Sequence, residues 1–317
     1  LKAKPGHSTL FTGRVFRLLF LTLREVWNMY KKSLVIFLSI LLTFTLFLSG
    51  CGNTTTGETT LQKAQKTGEI KIGFANEKPY AYKDDNGKLT GEAVEIAKVI
   101  FQRLGIKKIH GELTEFGSLI SGLKAKRFDV ITAGMFITPE RCKQVAFADP
   151  EYSIGEALAV QKGNPKNLHS YEDIAKDPNI KVAVMAGAQE EKILKEVGVK
   201  ENQIVIVNDQ PSAIAELESG RVDAVTMTGP SLQAMLDSAK SDKIERVMDF
   251  KDPVINGKVL RNYGAAAFRK EDTDFVKAYN KELEKMKQSG ELLKILEKFG
   301  FTENELPGNV KAEDICK

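Results

Sequence analysis

From Glu69 onward the chain alternates short apolar runs with amphipathic stretches, and one such unit is written twice. Leu123–Thr132 and Leu217–Thr226 each place the end of a helix, a basic turn (Arg127, Arg221), an aspartate (Asp129, Asp223) and an apolar strand that runs into a glycine loop. The two copies lie about 94 positions apart. Alternation of this kind implies α/β layers with largely parallel pairing. A single doublet at that spacing predicts two lobes with similar wiring rather than a tandem array of short repeats. The body from about Glu69 to Lys317 spans some 250 residues, long enough for two lobes.

The pattern predicts a strand at Ile70–Phe74, a helix at Ala93–Leu104 ended by Gly105, a strand at Ile109–Leu113, a helix at Ser118–Lys124 and a strand at Val130–Ala133. Tyr152–Glu156 and Gly264–Phe268 are short, contain glycine and read as two crossovers between lobes. Two adjacent crossovers make a hinge. Asp272–Gly300 reads as helical, with Phe275, Tyr279, Leu283, Met286, Leu292, Leu293 and Leu296 forming an apolar core stripe.

The N-terminal part follows other rules. Lys31 and Lys32 precede an apolar run, Ser33–Gly50, that closes with Leu48-Ser49-Gly50-Cys51. A charged region, an apolar region and a small-residue cleavage site make a signal peptide. A cysteine directly after that site is the lipoprotein pattern, so Cys51 is expected to carry lipid; the competing reading of the run is a membrane anchor. Met29 is the expected initiator, with 1–28 translated upstream sequence and 1–50 absent from the working protein. Residues 1–50 carry seven Lys/Arg and one Glu, a net of +6 against +4 for the whole chain, which leaves about −2. No basic patch for nucleic acid is implied. Asn53–Thr60 is small and polar, and 51–68 is read as a flexible tether. Cys142 and Cys316 remain, an even count in an exported protein, and are expected to pair. His110 and His169 are isolated, and no metal site is expected.

The tract that says most about chemistry is Gly134-Met-Phe-Ile-Thr-Pro-Glu-Arg141, which follows the apolar run Phe128–Ala133. Thr138 can cap a helix whose first residue is Pro139, with Arg141 in its first turn. A strand tip, an exposed aromatic (Phe136) and a fork-shaped cation make a carboxylate receptor. The plainer alternative is a strand-to-helix connection with a surface arginine.

Asn76–Tyr80, Gly91–Ile96, Phe116–Ile120 and Ile137–Arg141, in that order, resemble the extracellular solute-binding proteins of polar amino acid ABC importers, over about Glu69–Gly300. Within that group, Gly73–Tyr80, Leu113–Ile120 and Met135–Phe147 look most like the ectoine/hydroxyectoine-binding proteins. The resemblance implies a two-lobed type II periplasmic-binding-protein fold with two hinge crossovers. Lobe 1 would hold 69–154 and 267–317, and lobe 2 would hold 155–266. It further implies a monomeric binding protein rather than an enzyme, without a cofactor. Such a protein would be lipid-anchored at the outer face of the cytoplasmic membrane and would hand a small zwitterion to an ABC permease and its ATPase.

In the amino acid importers an acid a few residues past the Asp of the Val-Asp-Ala strand holds the α-ammonium. Thr228 stands there in this chain, and Glu77 is expected to carry the charge instead. Ectoine is a planar amidinium with one carboxylate, suited to stacking on aromatic faces. Tyr80, Phe116 and Phe136 are expected to supply those faces, and Glu77 to accept from the ring N–H groups. Arg141, in one tract with Gly134 and Thr138, would pair with the carboxylate. Gly187-Ala188-Gln189 would add backbone N–H groups and Thr228 a hydroxyl. A binder of a polar or basic amino acid is the first alternative, and a cyclohexadienyl dehydratase-like enzyme using Glu77 as an acid is the second.

Overall fold

The computed structural model describes residues 57–317; the expected signal peptide, Met29, Cys51 and the start of the expected tether lie outside them. The expected tether is wrong from Thr60 on, because Thr60–Thr67 is a helix. Thr59 and Gln62 form a reciprocal capping box, Leu61 and Ala64 bury one face, and Gly68 ends it in the left-handed region. Small polar residues hid a cap and an i, i+3 apolar pair.

The first lobe is built on β1 (Glu69–Phe74), β2 (Lys108–Leu113), β3 (Val130–Ile131) and β4 (Ala146–Phe147). The chain then passes through β5 (Tyr152–Ile154) into the second lobe, which holds β6 (Glu156–Gln161), β7 (Val182–Met185), β8 (Ile204–Val207), β9 (Ala224–Thr228) and β10 (Ile244–Arg246). It returns through β11 (Asn262–Gly264) to β12 (Ala267–Phe268). The sheet orders are β2-β1-β3-β12-β4 and β8-β7-β9-β6-β10. In each, four of the five strands run one way, three of them paired side by side, and one, β12 or β6, runs against both its neighbours. The reversal follows from the crossovers. The parallel strands end at the cleft, so a strand entering its sheet from the cleft must run the other way.

The crossovers β5 and β11 pair antiparallel, Tyr152 opposite Gly264 and Ile154 opposite Asn262. The second crossover therefore lies slightly before the expected Gly264–Phe268, whose end already belongs to the first sheet. Gly264 has a steric reason: a Cβ there would sit 2.1 Å from Cζ of Tyr152.

The repeated unit has a matching structural counterpart in each lobe. The Asp129 carboxylate accepts from the Lys71 N–H (3.2 Å) while its own N–H donates to the Lys71 carbonyl (2.8 Å). Asp223 does the same with Lys181 (2.8 and 2.9 Å). Along β6, Ala157 and Ala159 join the apolar cluster on one face of the sheet, and Leu158 and Val160 join the cluster on the other. This is the period-two sorting of a sheet covered on both sides.

In the first lobe the helix Glu92–Arg103 buries Val94, Ile96, Ala97, Ile100 and Phe101. The C-terminal stripe is split between Thr273–Gln288 and Glu291–Leu296, broken at Gly290. A disulfide joins Cys142 to Cys316 across 174 residues, with Cα atoms 5.6 Å apart. No described helix is long and apolar enough to cross a membrane.

Candidate functional site

The cleft between the sheets collects side chains from the ends of the parallel strands, where open α/β sheets place ligands. After β1, paired N–H···O bonds between Glu77 and Ala81 (2.9 and 3.0 Å) fold the loop so that Glu77 and Tyr80 face inward. Phe116 follows β2, and Gly134 and Phe136 follow β3. Arg141 rides on the short helix Pro139–Cys142, whose N-cap is Thr138. From the second lobe come Met185 at the end of β7, Ala188, Gln189 and Glu190 after it, Gln210 after β8, and Thr226, Met227 and Thr228 from β9.

The two walls touch. Tyr80 Oη donates to Thr228 Oγ1 at 2.7 Å, Gln210 Nε2 to Glu77 Oε1 at 2.5 Å, and Arg141 to the Gly187 carbonyl at 2.8 Å. The other arm of Arg141 donates to the Phe136 carbonyl at 2.8 Å, and its guanidinium lies 5.6 Å from the centre of the Phe116 ring. Backbone meets backbone where a Cβ on Gly187 would lie 2.6 Å from Cα of Gly117. The space enclosed is about 30 Å³.

The wall has a fixed backing. Tyr80 stacks on Tyr152 of the crossover β5, with centroids 5.3 Å apart and planes at 23°. Tyr152 Oη donates to the Gly134 carbonyl at 2.7 Å. Gly134 has φ +62°, and a Cβ there would lie 2.4 Å from Cγ of Tyr80. Phe301 packs under both tyrosines, 6.0 and 5.5 Å away.

Of the ten expected contact residues, Glu77, Tyr80, Phe116, Gly134, Phe136, Arg141, Gln189 and Thr228 line this cavity. Two do not. Thr138 uses its hydroxyl to accept from the Arg141 N–H at 3.2 Å, so it caps the arginine helix. Gly187 is not in the lining, and its carbonyl accepts from Arg141. Phe136, expected to be exposed, is 6 % exposed because it forms a bridge with Gly264. The sequence reading missed Met185, Ala188, Glu190, Gln210, Thr226 and Met227. Gln210 could have been found by the strand-end rule that found Phe116, since it lies in the turn just past β8, next to the helix cap Asp209.

Burial, then the neighbouring Glu190, pushes the Glu77 carboxyl up to about 8, with Arg141 pulling the other way. Parting of the lobes should hydrate Glu77 and return it to the ordinary carboxylate range. Closing the cleft without a cation therefore takes up a proton. The closed form should gain on the open one as pH falls from about 8 toward that range, and gain nothing below it. Energy transfer between dyes on the two lobes, without solute, should report this rise; a pH-independent distance would contradict it.

Two layered α/β lobes joined by paired crossovers, with a charged and aromatic cleft at their strand ends, define the two-lobed periplasmic-binding-protein fold. Residues 70–303 match the bacterial extracellular solute-binding proteins, family 3, and the chain belongs to that family. A probable amino-acid ABC transporter periplasmic-binding protein of Sinorhizobium fredii is 38% identical over 276 residues, 86% of this chain and 88% of its own. The arginine-binding extracellular protein ArtP of Bacillus subtilis is 27% identical over 270 residues, covering 85% and 98%. The crystal structure of EhuB in complex with hydroxyectoine superposes with a TM-score of 0.74 at 35% identity, covering 81% of this chain and 98% of that one. The protein is thus a solute-binding protein of an ABC transporter of the amino-acid type.

Proposed function

We propose that the protein binds ectoine or hydroxyectoine and delivers it to an ABC permease and its ATPase, held at the outer face of the cytoplasmic membrane by lipid on Cys51. The observation that carries the solute is the grouping of Tyr80, Phe116 and Phe136 with one carboxyl, Glu77, and one guanidinium, Arg141. A flat, weakly hydrated amidinium suits the rings and Glu77, and its carboxylate suits Arg141. The likeness to the hydroxyectoine complex supports the same choice. Thr228 contributes a hydroxyl, already engaged by Tyr80.

A second reading, a basic amino acid, is favoured by Glu190, an additional acid in the cavity, and by the likeness to an arginine-binding relative.

Isothermal titration with hydroxyectoine, ectoine, arginine, lysine and glutamine separates the two. Tight amino acid binding with silent ectoines refutes the first reading. Phe136→Ala should weaken hydroxyectoine binding by about 1 kcal/mol through lost stacking. Glu77→Gln should weaken it more, because a charged partner of the amidinium is lost. Unchanged affinity in Glu77→Gln removes that residue from the site.

A further inference from the structure

Three side chains bring full charges to the cavity: Glu77 and Arg141 from the first lobe and Glu190 from the second. Glu190 opens the helix Glu190–Glu196 yet is only 7 % exposed. Its neighbour is Glu156 of β6, equally buried. One Glu156 oxygen accepts from Asn262 Nδ2 at 2.7 Å, and the other, Oε2, is buried without a partner. Asp252 accepts from the Glu156 N–H at 2.9 Å, and Tyr171 faces the same pair with its hydroxyl engaged by Thr226. Arg141 is the cation that pulls on the pair, through Glu190.

Two carboxyls this close and this dry cannot both ionise. Burial, Glu190 and Asp252 hold Glu156 well above the carboxylate range; burial raises Glu190 as well, but Arg141 pulls it back, so the charge the pair keeps falls on the Glu190 side. Glu190 then presents the pair's single negative charge. With Glu77 and Arg141 the hydrated cavity carries a net charge of about −1, and an unbalanced charge enclosed away from water is costly.

Resting on the reading of this cleft as the solute site, we propose that Glu190 is a specificity-determining residue that makes closure select on the net charge of the solute. A solute with two cationic groups and one carboxylate balances the site as it stands. A zwitterion is enclosed only together with one proton, taken by Glu77 or Glu190 when its own cation faces the other. A site with Glu77 alone would accept the zwitterion without a proton.

The test is titration calorimetry of the full exported protein at pH 7 in two buffers of different ionisation enthalpy. The probes are hydroxyectoine, arginine and citrulline, which has arginine's skeleton without the side-chain charge. The wild type should take up about one proton per hydroxyectoine or citrulline and about none per arginine. In Glu190→Gln the zwitterions should bind with about no uptake, and arginine should lose at least about 10-fold in affinity relative to them. The melting temperature of the variant confirms that it folds. Equal proton counts for arginine and a zwitterion, or counts unchanged in Glu190→Gln, overturn the proposal. A silent hydroxyectoine with citrulline and arginine still differing by a proton overturns the ectoine reading alone and upholds the charge rule. No binding of any of the three overturns both.

Discussion

Arg141→Ala should raise the dissociation constant of the solute by about 100-fold or more. Among the described residues the side chain is the only guanidinium lining the cavity, and removing one partner of an enclosed charge pair costs about 2–5 kcal/mol. It is also part of the closing mechanism. One arm holds the Phe136 carbonyl in its own lobe and the other reaches the Gly187 carbonyl in the opposite lobe. The loss should therefore appear in two readouts, affinity by titration and the closed fraction by inter-lobe distance. Arg141→Lys keeps the charge but not the planar fork that spans both carbonyls, so it should recover only part of each. A variant with wild-type affinity would remove the carboxylate receptor from the account.

The second large effect is on stability. Replacing Cys142 and Cys316 together by serine releases a link that closes a loop across 174 residues. Loop-entropy arguments assign such a link about 3–5 kcal/mol. For a body of this size that is a fall in melting temperature of roughly 10 °C. The tail it frees is otherwise held by Asp149, which accepts from Lys311 and from the Ala312 N–H. Phe301 in that tail supports Tyr80 and Tyr152, so the double variant should also bind solute more weakly. Thermal unfolding with and without reductant gives the comparison. A melting point that ignores both reductant and mutation would show that the link adds nothing to the native state.

The legible parts of the molecule were those set by local rules. Strand ends in a parallel sheet carry ligand residues, so Phe116, Phe136 and Arg141 could be read directly from apolar runs followed by breaks. The doubled Asp129 and Asp223 units foretold two lobes because each encodes the same turn and the same backbone clamp. What stayed hidden depends on the fold's third dimension. Glu190 begins a helix with two glutamates, which in sequence is a solvated first turn; only the approach of the opposite lobe buries it. Gly187 was read by its N–H because a helix follows; the bond from Arg141 to its carbonyl, at a positive φ of +77°, was not legible. The helix Thr60–Thr67 was missed because its burial comes from partners more than 200 residues away, Arg269 on Thr60 and Asp274 on Thr59.

Tyr152 has a consequence for how this protein could change. It belongs to the paired crossovers that join the lobes, yet its ring underlies Tyr80 and its hydroxyl fixes the Gly134 carbonyl. The pivot and the lining of the cavity thus share one side chain. A substitution that reshapes the recess for a new solute would also shift the resting angle of the jaws, so retargeting and release rate would be inherited together.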